Sequence, residues 1–412
     1  MSKWPLVKLG EYCDALTGFP FKSSEYSTNP NDVRLLRGDN IAQQYLRWDG
    51  AKYWSVTKLE PYSKYLLQDG DIVLAMDRPW IEAGLKLSMV KEKDLPALLV
   101  QRVTRLRGTH KLETRFLYYT LLDQQFTNYV KNVQTGTGVP HISLNQITSY
   151  QIPLPPIEIQ RKIANILGSL DDKIELNRRM NETLEQMAMA LYKHWFVDFG
   201  SFQDGEFVET ELGMSIPNGW EICNFGDVSL NFNSRRIPLS NIQRQERKGS
   251  YPYYGAAGII DFVDDYLYDG VFLLVGEDGS VMKDDGTPFL QYVEGKFWVN
   301  NHAHVIQGTN DVSTEWLMLH LKSTDISRYV TGAVQPKLSK GNLNSIPFVL
   351  PPTEIRKEFN NKIVSFFEQI RSNEKENKYL AETRDYLLPL LLSGEIELTE
   401  AQEQVEEVLA NA

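Results

Sequence analysis

About two hundred residues of this chain are written twice. Thr135-Gly136 and Pro140-x-Ile142-Ser143 return 196 positions later as Thr331-Gly332 and Pro336-x-Leu338-Ser339, and Leu154-Pro155-Pro156-x-Glu158-Ile159 returns as Leu350-Pro351-Pro352-x-Glu354-Ile355. Upstream the offset is 200: Gly108 matches Gly308, and Phe116-Leu117 matches Trp316-Leu317. At the front it is 216, where Trp4-x4-Leu9-Gly10-Glu11 matches Trp220-x4-Phe225-Gly226-Asp227. A unit this long is no solenoid repeat; it predicts a duplicated domain. Two similar modules on one chain suit a target that itself has two ends.

Each copy reads as strand-rich, with short apolar runs such as Ile72–Ala75 and Val271–Val275 following Asp-Gly pairs, and one helix-like stretch, 113–129 and 313–329. Behind each Pro-Pro lies the most regular part of the chain. Steps of four and three place Ile163, Leu167, Leu170, Ile174, Asn177, Asn181 and Leu184 on one stripe. The same steps, 196 residues on, place Phe359, Ile363, Phe366, Ile370, Asn373, Asn377 and Leu380. This is a coiled-coil seam used twice. Matched Asn pairs in an apolar stripe cost stability but fix register and partner, so the two helices are expected to face each other, antiparallel. The alternative is two amphipathic helices, each packed on its own domain. The second helix is expected to stop near Pro389 or Ser393-Gly394, ahead of an acidic tail from Glu395 that reads as either a short helix or a frayed end.

The net charge of −11 argues against nucleic acid until it is divided. Residues 1–150 hold 19 Lys+Arg against 15 Asp+Glu, whereas 151–220, 221–350 and 351–412 are net −5, −4 and −6. Binding depends on the local field, so the total does not exclude DNA, though it weakens any argument from charge alone. Two cysteines, Cys13 and Cys223, make no ligand or disulfide pattern, and no apolar run spans a bilayer, so a soluble cytoplasmic protein is expected.

Catalytic signatures are missing. There is no Walker loop and no Gly-x-Gly-x-x-Gly. The Pro-Pro pairs follow leucine, not the Asp or Asn of an adenine methyltransferase. His302-x-His304 lacks a third metal ligand, and Asp285 with Glu294-x-Lys296 imitates a nuclease set that the first copy does not repeat. Neither a metal site nor a catalytic site is expected, and the chain reads as a binder.

Leu191-Tyr-Lys-His-Trp195-Phe196-Val197-Asp198-Phe199, followed by Gly213-x-x-Ile216-Pro217-x-Gly219-Trp220, resembles the central region of specificity subunits of type I restriction–modification systems. Gly18-Phe-Pro-Phe-Lys22-Ser23, Tyr253-Tyr254-Gly255-Ala-x-Gly258 and Leu390-Leu-Leu-Ser-Gly-Glu-Ile396 strengthen the resemblance, although the first copy has no counterpart of the Tyr-Tyr-Gly-Ala stretch or of Asn300-Asn301-His302. The resemblance implies an α+β protein with a pseudo-two-fold internal duplication. Two mixed α/β target-recognition domains (1–153 and 201–349) are joined by two long antiparallel helices (154–200 and 350–394), with a tail at 395–412. It implies a non-catalytic DNA-binding subunit, each domain reading half of a bipartite site in double-stranded DNA. The implied partners are two methyltransferase subunits, using S-adenosylmethionine, and up to two restriction subunits, using ATP and Mg. No cofactor is expected in this chain. A self-contained nuclease or methyltransferase and a protein–protein scaffold are the competing readings.

Base readout needs Arg or Lys for guanine and Asn or Gln for adenine. In the second copy Arg235, Arg236, Arg244, Arg247, Lys248 and Tyr253 form a basic cluster with aromatics interleaved, and Gln335, Lys337 and Lys340 precede the helix. In the first copy the corresponding loop is Thr137–His141, and Lys22, Arg78 and Lys131 are added. Arg102, Arg105 and Arg107 alternate as on one strand face, and Trp195-Phe196 reads as packing or as a subunit interface. As a ruler, the helix from Ile157 to Phe196 at ~1.5 Å per residue would be roughly 60 Å long.

Overall fold

The computed structural model describes residues 3–136, 138–309, 311–332 and 334–410. The chain divides into two compact units, 1–175 with 376–412, and 176–375. The sequence division placed the boundaries at the ends of the long helices. They fall instead inside both helices, because each helix buries one half in each unit.

In the first unit a four-stranded antiparallel sheet runs Cys13–Thr17, Val103–Gly108, Ile72–Ala75, Leu87–Met89. A smaller sheet pairs Val33–Leu36 with Lys52–Trp54 and Ala97–Leu99. The expected single helix over 113–129 is two helices, Thr114–Leu122 and Gln124–Val133. They break at Asp123, whose carboxylate accepts the Gln125 N–H at 2.6 Å and so caps the second helix. Phe116, Leu117 and Leu121 sink into the core against Ile72, Leu74 and Leu106 from the sheet.

The second unit repeats the plan with longer strands. Six strands run in the order Ser229–Asn231, Ala303–Gly308, Tyr268–Gly276, Leu290–Val299, Lys248–Tyr254, Ile259–Val263. Asp269-Gly270, expected as a turn, lies within the strand opposite Lys296 and Gly295. Trp316 and Leu317, the counterparts of Phe116 and Leu117, are buried in Thr314–Lys322. Each unit is closed by an antiparallel pair just before its Pro-Pro: Leu6–Lys8 with Gln151–Pro153, and Glu221–Asn224 with Pro347–Leu350.

The central helix spans Ile157–Phe196, as its periodicity predicts, and the second spans Thr353–Ser393. Pro389 lies inside the second helix, which ends instead at Gly394, in a left-handed conformation (φ 76°). Gly394 N–H bonds to Leu391 O and Glu395 N–H to Leu390 O, the paired bonds of a Schellman stop. The helices run antiparallel in both units. In the first, Asp171 accepts from Arg384 at 2.7 Å while Lys173 pairs with Glu376 at 3.0 Å. In the second, Asn373 Nδ2 donates to Asn181 Oδ1 at 2.7 Å, and Trp195 packs on Phe359 with ring centroids 5.6 Å apart.

Along the stripe Ile163, Leu167, Leu170, Ile174, Asn177, Phe359, Ile363, Ile370, Asn373 and Leu380 are buried. Asn181, Leu184 and Asn377 are half-buried. Phe366 is also half-buried, because the helix turns Phe367 into the core in its place. Each helix packs on both units, so neither the facing pair alone nor the packed-on-its-own-domain alternative is complete. The expected tail is a helix, Leu398–Ala410, with Ala401, Val405 and Val408 buried in the first unit's core.

Candidate nucleic-acid interface

The recurring Thr-Gly…Pro motif builds the same frame in each unit. In the first, Thr135 and His141 exchange both backbone hydrogen bonds at 2.8 Å, closing a loop around Gly136 (φ 99°). In the second, Thr331 and Lys337 do so at 2.9 and 2.7 Å around Gly332 (φ 89°). Glycine is required at both: an added Cβ would meet Val139 O at 2.6 Å or Gln335 O at 2.3 Å. Ser143 and Ser339 then cap the short helices Leu144–Ser149 and Lys340–Asn344.

Each loop is pinned to the turn at the end of the central strand. Ile142 N–H bonds to Met76 O and Arg78 N–H to Pro140 O; Leu338 N–H bonds to Glu277 O and Gly279 N–H to Pro336 O. The neighbouring turn is tied in as well, by Met76 N–H to Arg102 O and Glu277 N–H to His302 O, both 2.8 Å. These bonds make Asp77, Arg78, Arg102 and His141 the structural equivalents of Asp278, Gly279, His302 and Lys337. The shared frame is backbone, and what differs is the side chains it presents.

In the first unit His141 Nδ1 lies 2.6 Å from Asp77 Oδ1, and Arg102 reaches the same carboxylate at 3.7 Å with its own side chain more than half exposed. Arg102 is therefore not on the strand with Arg105 and Arg107; it sits in a left-handed turn before it (φ 69°). Arg105 is buried on Asp14 and Arg107 is paired with Asp71, so both hold the sheet together. Arg78 is exposed, also left-handed (φ 45°), and no carboxylate pairs with it among the described residues. Nearby Lys86 is buried, and its pKa is lowered first by burial and also by Arg47 and Arg78, against the pull of Asp39 and Asp77. Lys22 is exposed, whereas Lys131 stacks its ammonium 3.8 Å from the Trp80 ring centroid. Thr137 lies outside the described residues.

In the second unit Lys337 Nζ is 3.3 Å from Asp278 and 3.9 Å from Glu277, and Gln335 and Lys340 are exposed. Gln335 joins Gly255–Ile260, Asp278–Ser280, Asn300 and His302 around a cleft of about 540 Å³. The loop is held by Gly255 N–H to Gly258 O, and by Gln291 Nε2 donating to Gly255 O and Ala256 O at 2.9 and 3.1 Å. The motifs without a counterpart in the first copy, Tyr-Tyr-Gly-Ala and Asn-Asn-His, thus meet in one place. Charge counting missed this cleft because its lining is mostly neutral.

The expected basic cluster is largely tied into ion pairs and hydrogen bonds within its own unit. Arg236 donates to Glu277 at 2.6 Å and to the carbonyls of Asn301 and Ala303, with little exposure. Arg244 is fastened to Asp261 and Leu239 O, and Lys248 shares Asp261 at 2.5 Å. Arg247 pairs with Asp264 while lying 4.9 Å over the Trp298 ring. Tyr253 is buried, its hydroxyl accepting from Leu239 N–H at 2.9 Å. Arg235, though exposed, donates to Leu267 O and covers the Tyr268 ring. The strand Ile259–Val263 and the turn after it return the acids that pair with Arg244, Arg247 and Lys248.

His302 and His304 point to different fates: His304 is buried, with Nε2 bonded to Leu338 O and Nδ1 2.8 Å from Asn233, and burial lowers its pKa. No group of three or more His, Cys, Asp or Glu is placed to hold a metal among the described residues. Asp285 caps its own turn through Thr287, and Glu294 pairs with Lys375. Trp195 and Phe196 are buried among Phe359, Trp316 and Trp220, so they are packing. No helix of the described residues is long and apolar enough to cross a membrane.

Residues 1–186 and 217–382 match the model of the type I restriction modification DNA specificity domain. The chain is 28% identical over 70% of both chains to the type I restriction enzyme MjaIX specificity subunit of Methanocaldococcus jannaschii. It is 25% identical over 96% of its length, and all of the relative's, to the HindI specificity subunit of Haemophilus influenzae. Its fold is similar to the crystal structure of a type I restriction–modification S subunit from M. genitalium, with TM-score 0.52 and 16% identity over 95% and 96% of the two chains. With the domain matched twice, across most of the sequence and on the duplicated frame just described, the chain belongs to the type I restriction–modification DNA specificity family.

Proposed function

We propose that each unit reads one half of a bipartite DNA site, through the turns and loop that its Thr-Gly…Pro frame holds together. The family gives the chain its role in DNA specificity; the division of that role between two frames is our reading. One observation carries it: a frame with the same backbone hydrogen bonds is built twice and carries different residues at equivalent positions, exposed Arg78 and Arg102 with half-buried His141 in one unit and Gly279, His302 and Lys337 in the other. A repeated scaffold with divergent tips is what reading two unlike sequences requires, since phosphate contacts fix register and base-edge contacts carry the information.

The chain itself carries no chemistry in this reading. It holds two methyltransferase subunits, which supply S-adenosylmethionine chemistry on adenine, and up to two restriction subunits that consume ATP with Mg. The two long helices set the length of DNA left unread between half-sites. Mapping N6-methyladenine across a genome, with and without this chain, tests the reading. A two-part motif that vanishes with the chain supports it, and methylation that persists unchanged overturns it. Four residues inserted into both helices, about one turn, should lengthen the unread spacer by roughly one to two base pairs; an unaltered spacer would remove the helices from that role.

A further inference from the structure

Among the turns of the two frames, Arg78 and Arg102 of the first are held against the preference of the backbone, and only Arg78 has a left-handed counterpart in the second. The residue whose N–H bonds to the loop proline is left-handed in both units, Gly279 at φ 80° and Arg78 at φ 45°. Glycine enters this region freely, whereas a residue with a Cβ meets its own carbonyl there. The second unit uses the residue the backbone prefers. The first places arginine there, directly after Asp77, which already holds His141 and Arg102. The guanidinium is exposed and, among the described residues, no acid neutralises it, unlike Arg236, Arg244 and Arg247 of the second unit's cluster. Strain kept for an unpaired, outward charge has no use in the fold, and marks a side chain wanted for what it touches outside the protein.

We propose that Arg78 is a specificity-determining residue of the first unit, reading the O6 and N7 acceptors of a guanine in the major groove of that unit's half-site. The guanidinium fork matches two acceptors on one base edge, which a lysine cannot reproduce. Buried Lys86, whose charge Arg78 opposes, and Arg102 across Asp77 raise the local positive potential and favour an electron-rich edge over the amino groups of adenine or cytosine. In the second unit the equivalent glycine presents nothing, and recognition passes to the Gly255–Ile260 cleft with Gln335 and Asn300. This assignment rests on the bipartite reading above.

The test uses the full chain with its methyltransferase subunits and a library of duplexes randomised across both half-sites, scored by which are methylated. Arg78→Gly should leave the thermal midpoint unchanged or higher, because it removes the left-handed strain. It should also cut the preference for guanine at one position of one half-site by roughly 5- to 150-fold, the worth of a bidentate contact, and leave the other half-site's pattern as it was. Arg78→Lys should keep part of the affinity and lose most of the preference. A loss spread evenly over all sequences with a shallower salt dependence would make Arg78 a phosphate contact, and an unchanged preference would make it a bystander; either overturns the assignment. A wild-type protein with no two-part preference would instead defeat the reading on which the assignment rests.

Discussion

The two units attach to the long helices at the same register with opposite charge. In the first, Glu175 receives Lys91 and Lys93, each at 2.7 Å. In the second, 196 residues on, Arg371 takes that place and meets Glu315 at 3.1 Å, Glu294 at 3.7 Å and the Tyr292 hydroxyl. A second anchor keeps its chemistry and moves one turn. Gln160 accepts from Glu113 N–H and donates to Lys111 O, while Asn360 accepts from Ser313 N–H and donates to Asp311 O. The backbone needs at these joints are shared, and the side chains that meet them have diverged. Duplication preserved the frame, and sign reversal made each half of the helix pair specific for its own unit: with like charges facing, a swapped pairing would repel.

The cores should separate the units most. Phe359, fully buried against Tyr192, Trp195, Phe196 and Trp316, stands where the first unit has Ile163. Truncation to alanine should cost the second unit about 3–5 kcal/mol and the first, for Ile163→Ala, about 2–5 kcal/mol. Urea unfolding followed by tryptophan fluorescence measures both, and a smaller loss at Phe359 would mean that its aromatic cage closes around the gap.

Acid should divide the units next. His320 is buried with Nδ1 3.0 Å from the Tyr192 hydroxyl, and burial lowers its pKa to about 4 from an ordinary 6.5. Below pH 6.5 the unfolded chain takes up a proton that the folded unit refuses, so stability falls with pH, by about 1.4 kcal/mol per unit, until about pH 4. The first unit has Thr120 at the equivalent position and should lack this contribution. His320→Gln should lessen the slope of the second unit alone, leaving the share of buried His304, and an unchanged slope would assign the acid response elsewhere.

The smallest expected effect tests the sign reversal itself. Glu175→Lys should cost the first unit about 1 kcal/mol, modest because both lysines are partly exposed to solvent. Adding Lys91→Glu and Lys93→Glu should restore most of it. Failure of that rescue in a mutant cycle would show that packing, not charge, makes the joint.

Much of this molecule was readable from residue order, and the parts that were not share a cause. Periodicity found the central helix, because a stripe of apolar residues every three or four positions is a local property of one segment. The matched asparagines were read as facing, and Asn181 does meet Asn373. Residue order did not show the pairing within the second unit's basic cluster, because Asp261 and Asp264 come back on a neighbouring strand and turn 13 to 17 residues later to meet Arg244, Arg247 and Lys248. Charge density along a sequence does not know which strands will pair. The frame was visible as a repeated motif, but the equivalence of Arg78 with Gly279 was not, since only backbone hydrogen bonds align those turns. Residue order left the acidic tail open between a short helix and a frayed end, because the residues that bury its helix, Ala401, Val405 and Val408, are few and spaced among glutamates.

That last helix alters the order in which the protein can be made. Leu391, Ala401 and Val405 sit in the same core as Leu9 and Ile72, and Lys3 N–H reaches Ser393 O at 2.9 Å. Residues 376–410 are synthesised after residues 176–375, so the first unit can be completed only after the second, which can close as soon as residue 375 emerges. Until then the nascent first half holds an open apolar face for more than two hundred residues of translation, the interval in which it most needs protection from aggregation.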